Sequence, residues 1–201
     1  MEDLHYQCLR CGVCCFEIPG NYSKRIPLYP EEVDRLIDIA KERNIEFKVI
    51  EDLVFPDILN ENIIVLTYKI KFDKDIQSCP FYNDKKGCSI QKLKPLACKT
   101  YPLSLKQEDA YNFRIDIDPL CKFVNNDENY KRLRKIDWEE IKHVFEKEYE
   151  NAERHLKKNK KLMLKIRRLE VEKKINISRK ISLKEFNKCL REWERVEITV
   201  E

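Results

Sequence analysis

With 201 residues, the chain has room for one ordinary domain, or for a compact domain with an appendage. Its 40 basic and 36 acidic residues leave a formal net charge of only +4, which excludes a strong global pull toward nucleic acid or membrane and confines any such binding to a local patch. The three glycines, Gly12, Gly20 and Gly87, are dispersed, which excludes the clustered-glycine turns that cradle dinucleotides and nucleotide phosphates.

The opening residues show neither a basic leader nor an apolar h-region, and nowhere do about 18 apolar residues follow one another. The expectation is therefore a cytoplasmic protein without membrane contact, in a compartment where thiols stay reduced. Nine cysteines in such a setting favour metal ligation over a disulfide framework.

The first element is the stretch CLRCGVCC, residues 8–15. Cys8, Cys11 and Cys14 fall at i, i+3 and i+6, a spacing that lets a loop curl its sulfurs and its amide groups around one centre. Adjacent side chains tend to point apart, so Cys14 and Cys15 are expected to serve different metals or different corners of one cluster. His5, a lone histidine, reads as surface. Next, LYPEEVDRLIDIAKERN predicts a helix, with Pro30 early, Glu31 and Glu32 in the first turn, and Val33, Leu36, Ile37 and Ala40 on one face. ENIIVLTYKIKF at 61–72 predicts a strand. CPFYNDKKGC at 79–88 predicts a hairpin around a polar turn containing Gly87, with Cys79 and Cys88 at its ends.

In CSIQKLKPLACKTYP, Cys88 and Cys98 flank a segment in which Pro95 limits how a helix can begin. Lys92, Lys94 and Lys99 lie close by and could offset the charge of a thiolate-bound metal, about −2 for four thiolates on a dication. YNFRIDID at 111–118 alternates as a strand, with Cys121 just beyond.

The composition changes near residue 125. A cysteine-rich region, 1–125, is expected to form a small α+β metal-binding module of short strands and loops, followed by a charged helical C-terminal region, 126–201. In the latter, DWEEIKHVFEKEYENAERHL predicts a single helix capped by Asp137, with the stripe Trp138, Ile141, Phe145, Tyr149, Ala152 and Leu156. RHLKKNKKLMLKIRR at 154–168 contains no acidic residue, and Leu162 and Ile166, with Leu169 just beyond it, give an apolar stripe. SLKEFNKCLREW predicts a last helix with a Ser182–Glu185 capping box and Cys189 on its buried face, as core rather than ligand.

The remaining eight cysteines are the candidate ligands: Cys8, Cys11, Cys14, Cys15, Cys79, Cys88, Cys98 and Cys121. They suit two four-sulfur sites or one larger cluster. Cys8-x-x-Cys11-Gly12 resembles a zinc knuckle, while the three-cysteine wrap followed by Cys79-Pro80 resembles part of the ferredoxin pattern. Both an iron–sulfur cluster, such as 4Fe-4S, and Zn2+ remain open as the cofactor, with the iron–sulfur reading ahead.

CLRCGVCC, CPFY at 79–82, Cys88-Ser-Ile, KPLACKTYP at 94–102 and Cys121 together resemble the CxxCxxCC proteins, the zinc- or iron-chelating YkgJ-like cysteine cluster family. That family typically carries Ile-Tyr, Arg-Pro and Cys-Arg in its third block. Here Gln91, Lys94-Pro95 and Cys98-Lys99 stand instead, keeping charge but losing the arginine fork. The family is similar to the cysteine-rich part of flagellin lysine N-methylases, and that resemblance implies protein-lysine methyl transfer as an alternative to plain metal chelation. No radical C-x-x-x-C-x-x-C spacing supports such chemistry, since Ile18 occupies the third position. A further alternative is contact with RNA or an acidic partner through 154–168. Acidic flanks favour instead a charged helix packed on its neighbour.

Overall fold

The structure is a computed structural model that describes residues 4–16, 26–72, 78–109 and 112–200. In chain order its strands are β1 (Pro27–Leu28), β2 (Val49–Asp57), β3 (Asn62–Ile70), β4 (Tyr82–Asn83), β5 (Gly87–Cys88), β6 (Leu103–Gln107), β7 (Phe113–Ile117) and β8 (Glu194–Glu197). Its helices are α1 (Pro30–Glu42), α2 (Leu96–Thr100), α3 (Asp127–Leu133), α4 (Trp138–Val144), α5 (Glu146–Val171) and α6 (Leu183–Glu192). The class is α+β, as the sequence leads one to expect, with antiparallel strands and a helical C-terminal region. Among the described residues no helix is long and apolar enough to cross a membrane.

The chain forms two compact units, each assembled from two separated stretches. The first comprises Met1–Ile26 and Phe72–Leu156, the second Pro27–Lys71 and Lys157–Glu201. Residue 125, where the composition changes, lies inside the first unit.

The second unit is organised around β3. Antiparallel β1 and β2 pair with it, and β8 joins in parallel from Asn62↔Glu194 to Val65↔Glu197. Ile63, Ile64, Val65, Leu66 and Thr67 are all buried, so this strand is covered on both faces rather than alternating in and out. Ile63 and Val65 pack with Cys189, Leu190 and Trp193 of the α6 region. Cys189 is thus core, as its place on the apolar stripe requires.

In α1, Pro30 occupies the first turn, and the Tyr29 N–H donates to the Glu32 carboxylate at 3.1 Å. Its buried face is Val33, Leu36, Ile39 and Ala40, with Ile37 only half-buried. Asp57 is fully buried, and its carboxylate accepts the N–H of Leu59 at 3.1 Å and of Asn176 at 2.8 Å, as well as the Asn60 amide. That one side chain ties the β2–β3 turn to the segment after α5.

Much of the basic stretch 154–168 is committed within this unit. Leu162 and Ile166 are buried. Lys158 pairs with Glu31 and lies 4.1 Å from the Tyr29 ring centroid, while the Tyr29 hydroxyl donates to Asn159 at 2.9 Å. Lys165 donates to the Thr199 carbonyl at 2.8 Å. These contacts accord with a charged helix packed on its own neighbours.

The first unit has a core of Leu103, Cys121, Phe123, Val124, Leu133, Val144 and Phe145, with Leu4, Tyr6, Ile115 and Ile117 against it. Ile115 and Ile117 alternate inward from the β6–β7 hairpin as expected, whereas Phe113 is largely exposed; Tyr111 lies outside the described residues. The single helix expected over 137–156 is instead two. Asp137 caps α4 with a reciprocal Glu140 bond, both contacts at 3.0 Å, but the helix stops at Val144. Phe145 (φ −114°, ψ 37°) leaves the helical region with its ring fully buried, 5.2 Å from that of Tyr6. The Val144 carbonyl accepts the Tyr6 N–H at 2.8 Å, so the N-terminal segment docks at the break. The apolar stripe runs through this interruption in phase, which is why the sequence reads as continuous.

Candidate metal centre

The N-terminal cysteine loop is shaped by two residues in the left-handed region. Arg10 (φ 53°) and Gly12 (φ 79°) turn the chain into a 3-10 turn at Val13–Cys15, closed by the Cys15 N–H to Gly12 carbonyl bond of 2.6 Å. In that turn successive side chains diverge by about 120° instead of the 180° of a strand. Hence Cys14 and Cys15 do not point apart as expected of neighbours: their sulfurs lie 3.8 Å from one another. Two thiolates on one tetrahedral ion, each at about 2.3 Å, would be separated by about 3.8 Å.

The hairpin is fastened to this loop. Phe16 bridges Ser78, and the Cys79 N–H donates to the Cys15 carbonyl at 2.7 Å. The Phe16 and Tyr82 rings meet edge to face at 5.0 Å. Cys88 ends β5. Beyond it a short 3-10 turn, Gln91–Leu93, leads through extended Lys94 and buried Pro95 into α2, which carries Cys98. Cys121 follows an Asp118 turn, in which the Asp118 carboxylate accepts the Leu120 N–H at 2.9 Å.

These pieces enclose a cavity of about 200 Å³ within the first unit. Seven of the eight candidate cysteines line it: Cys8, Cys11, Cys14, Cys15, Cys88, Cys98 and Cys121. Cys79 is not on its wall but interacts with the Cys15 thiol. Among the described residues no three Cys, His, Asp or Glu side chains already stand in ion-holding geometry, so the backbone gathers the sulfurs without bringing them to bond distance. His5 stays off the cavity, exposed, with its ring 4.9 Å from that of His143.

The electrostatics are those of thiols awaiting a positive charge. Burial, followed by repulsion from Cys14 and Cys15, pushes the Cys98 thiol well up. The Cys15 thiol is lowered by its bond with Cys14, but Cys79 and burial outweigh this and carry it up to about 12. Burial also raises Cys88 and Cys121. Against this, backbone N–H groups two residues on are directed at sulfur: Ile90 at Cys88, and Phe123, with Val124, at Cys121, where the Tyr6 hydroxyl also bonds. Such donors favour the thiolate. A zinc or iron ion would supply the missing charge and hold the thiols deprotonated, so the donor set fits either metal.

Of the lysines singled out in the sequence, Lys94 and Lys99 line the cavity, whereas Lys92 is exposed and absent from its wall. Lys94 Nζ is 4.0 Å from the Cys8 sulfur. Burial disfavours its charge, but the thiols of Cys8, Cys14 and Cys88 outweigh that and raise its pKa. Sequence reasoning missed Tyr6, Gln91 and Phe123, and missed the first two turns of α5, which add Lys147, Glu148 and Asn151. No local signal could have found Glu148, which reads as one acid among many on a charged helix. Its carboxyl is raised to about 6 by burial.

Comparison with known families gives a match. The CxxCxxCC model, described as a "putative zinc- or iron-chelating domain", fits residues 7–130, more than half of the chain. A search of curated proteins and a search of solved structures each find no match. The zinc-or-iron expectation agrees with that description.

Proposed function

Starting from a chain that belongs to the CxxCxxCC family, we propose that its first unit chelates metal at one shared centre formed by Cys8, Cys11, Cys14, Cys15, Cys79, Cys88, Cys98 and Cys121. The observation that carries this reading is the lining of a single cavity by seven of these cysteines, with Cys79 joined to Cys15 at its edge. Two remote four-sulfur sites would divide the cysteines between separate cavities. The close Cys14–Cys15 pair supports sharing of one ion by neighbouring thiolates. The three-cysteine wrap followed by Cys79-Pro80 favours an iron–sulfur cluster over zinc, in a cytoplasmic setting.

Anaerobic purification of the full chain, followed by metal and sulfide analysis and a visible spectrum, tests both levels. Iron, sulfide and a brown chromophore support the cluster. A colourless protein with stoichiometric zinc retains chelation and rejects the cluster. Native disulfides with no bound metal reject chelation itself.

A further inference from the structure

The cavity is ringed by cations as well as sulfur. Arg10, Lys94, Lys99 and Lys147 all contribute to its wall, but they are not equivalent. Arg10 and Lys147 are exposed at the surface, where water screens their charge. Lys94 and Lys99 are both half-buried, and it is Lys94 whose Nζ comes within 4.0 Å of a cysteine sulfur, that of Cys8. The backbone fixes this placement. Lys94 is the extended link (φ −50°, ψ 142°) between the 3-10 turn and α2, and buried Pro95 immediately after it sets the direction in which the side chain leaves. Four thiolates on a dication carry a net charge of about −2, and eight on two dications about −4. Charge of that size in a partly enclosed site favours a cation held close to the sulfurs, because exposed cations are more strongly screened.

We infer that Lys94 is the internal counter-cation of the metal centre, a positioning residue that holds its ammonium against Cys8 and sets how tightly the thiolates retain metal. This rests on the proposed chelation. Lys92, exposed and off the cavity, has no such duty. Charge is the decisive property at position 94, with the amphipathic stem secondary.

The test is an anaerobic titration of the metal-free full chain with Zn2+ against a chromophoric chelator, for wild type, K94M, K94R and K92M. Co2+ spectra of each then report the number of thiolate ligands. K94M is expected to bind Zn2+ about 10–100-fold more weakly, the usual cost of losing an outer-shell partner. K94R is expected to stay near wild type, and K92M to match it. Unchanged thiolate-to-cobalt bands in K94M would show that ligand number is intact and charge alone was lost. Equal affinity of K94M and wild type overturns the inference while leaving chelation standing, as does a K94R variant as weak as K94M. Should K94M fail to fold, judged by circular dichroism, K94Q takes its place with the same expectation. A wild-type chain that binds no Zn2+ or iron overturns the chelation proposal, and this inference with it.

Discussion

Gly87 lies directly against Arg10: a methyl group placed on the glycine would sit 2.6 Å from Arg10 Cβ and 2.8 Å from its carbonyl oxygen. Both atoms belong to the rigid part of Arg10, and Gly87 itself has φ +72°. The cysteine loop and the hairpin therefore meet backbone to backbone. G87A is expected to lower the stability of the first unit by about 2 kcal/mol or more, combining left-handed strain with the displaced loop, and to reduce metal retention. Urea denaturation and metal analysis of the variant check this. The analogous contact of a methyl group on Gly12 is with the outer ring atoms of Tyr82. A ring can swing away, so G12A is expected to cost less than G87A, and Y82A to relieve part of it. R10A should not relieve G87A, because alanine keeps the offending Cβ.

The cysteines divide into two classes by what their loss should do. C14S, C15S and C79S are each expected to reduce bound metal, measured as metal per chain after anaerobic loading. C189S should leave metal content unchanged and instead destabilise the second unit by about 1–3 kcal/mol, since a hydroxyl would be buried against Ile63 and Val65. Loss of metal in C189S, or full metal in C15S, would contradict the assignment.

In the second unit, D57A is expected to release the segment after α5. Asp57 satisfies the N–H groups of Leu59 and Asn176 from a fully buried position. Its removal takes the acceptor from part-buried donors, at a cost of about 1–2 kcal/mol. Hydrogen exchange at Asn176 and Leu59 should accelerate ahead of global unfolding, while the metal centre is untouched.

Glu148 gives the metal-free chain a pH signature. Burial raises its carboxyl from about 4.5 to about 6. The folded state then binds its proton more tightly than the unfolded state, so the stabilisation is complete below about 4.5 and is lost as pH rises through about 6. Because Glu148 is partly exposed, solvent screening keeps the effect below about 1 kcal/mol. Urea midpoints of wild type should fall relative to E148Q across that window. A constant difference would place the carboxyl in water.

What could be read from residue order was whatever a short window encodes. The cysteine spacing, the α6 capping box, the buried Cys189 and the hairpin at 79–88 each declare themselves within a dozen residues. β2 did not, because Glu51 and Asp52 interrupt its apolar run, the register slips around Leu53, and Pro56 suggests a break. β8, ERVE, is exposed throughout and carries no apolar pattern; what holds it is backbone pairing with β3 and the polar bonds of Arg195 with Glu51 and of Glu197 with Tyr68, partners more than a hundred positions away. The interleaving of Pro27–Lys71 between two parts of the first unit leaves no local trace, and neither does the approach of Glu148 to cysteines more than a hundred positions earlier. The Cys14–Cys15 convergence was hidden for a different reason. It depends on a tight turn made by Gly12, and side-chain direction cannot be assigned before backbone shape is known.

Cys121 is both a member of the apolar core and part of the cavity wall. Folding of that core and occupancy of the centre are consequently linked by mass action. Free metal at one hundred times its dissociation constant would deepen the native well by about 2.7 kcal/mol, shrinking the open, protease-accessible population about a hundredfold. The lifetime of the chain under proteolysis would then track the surrounding metal supply.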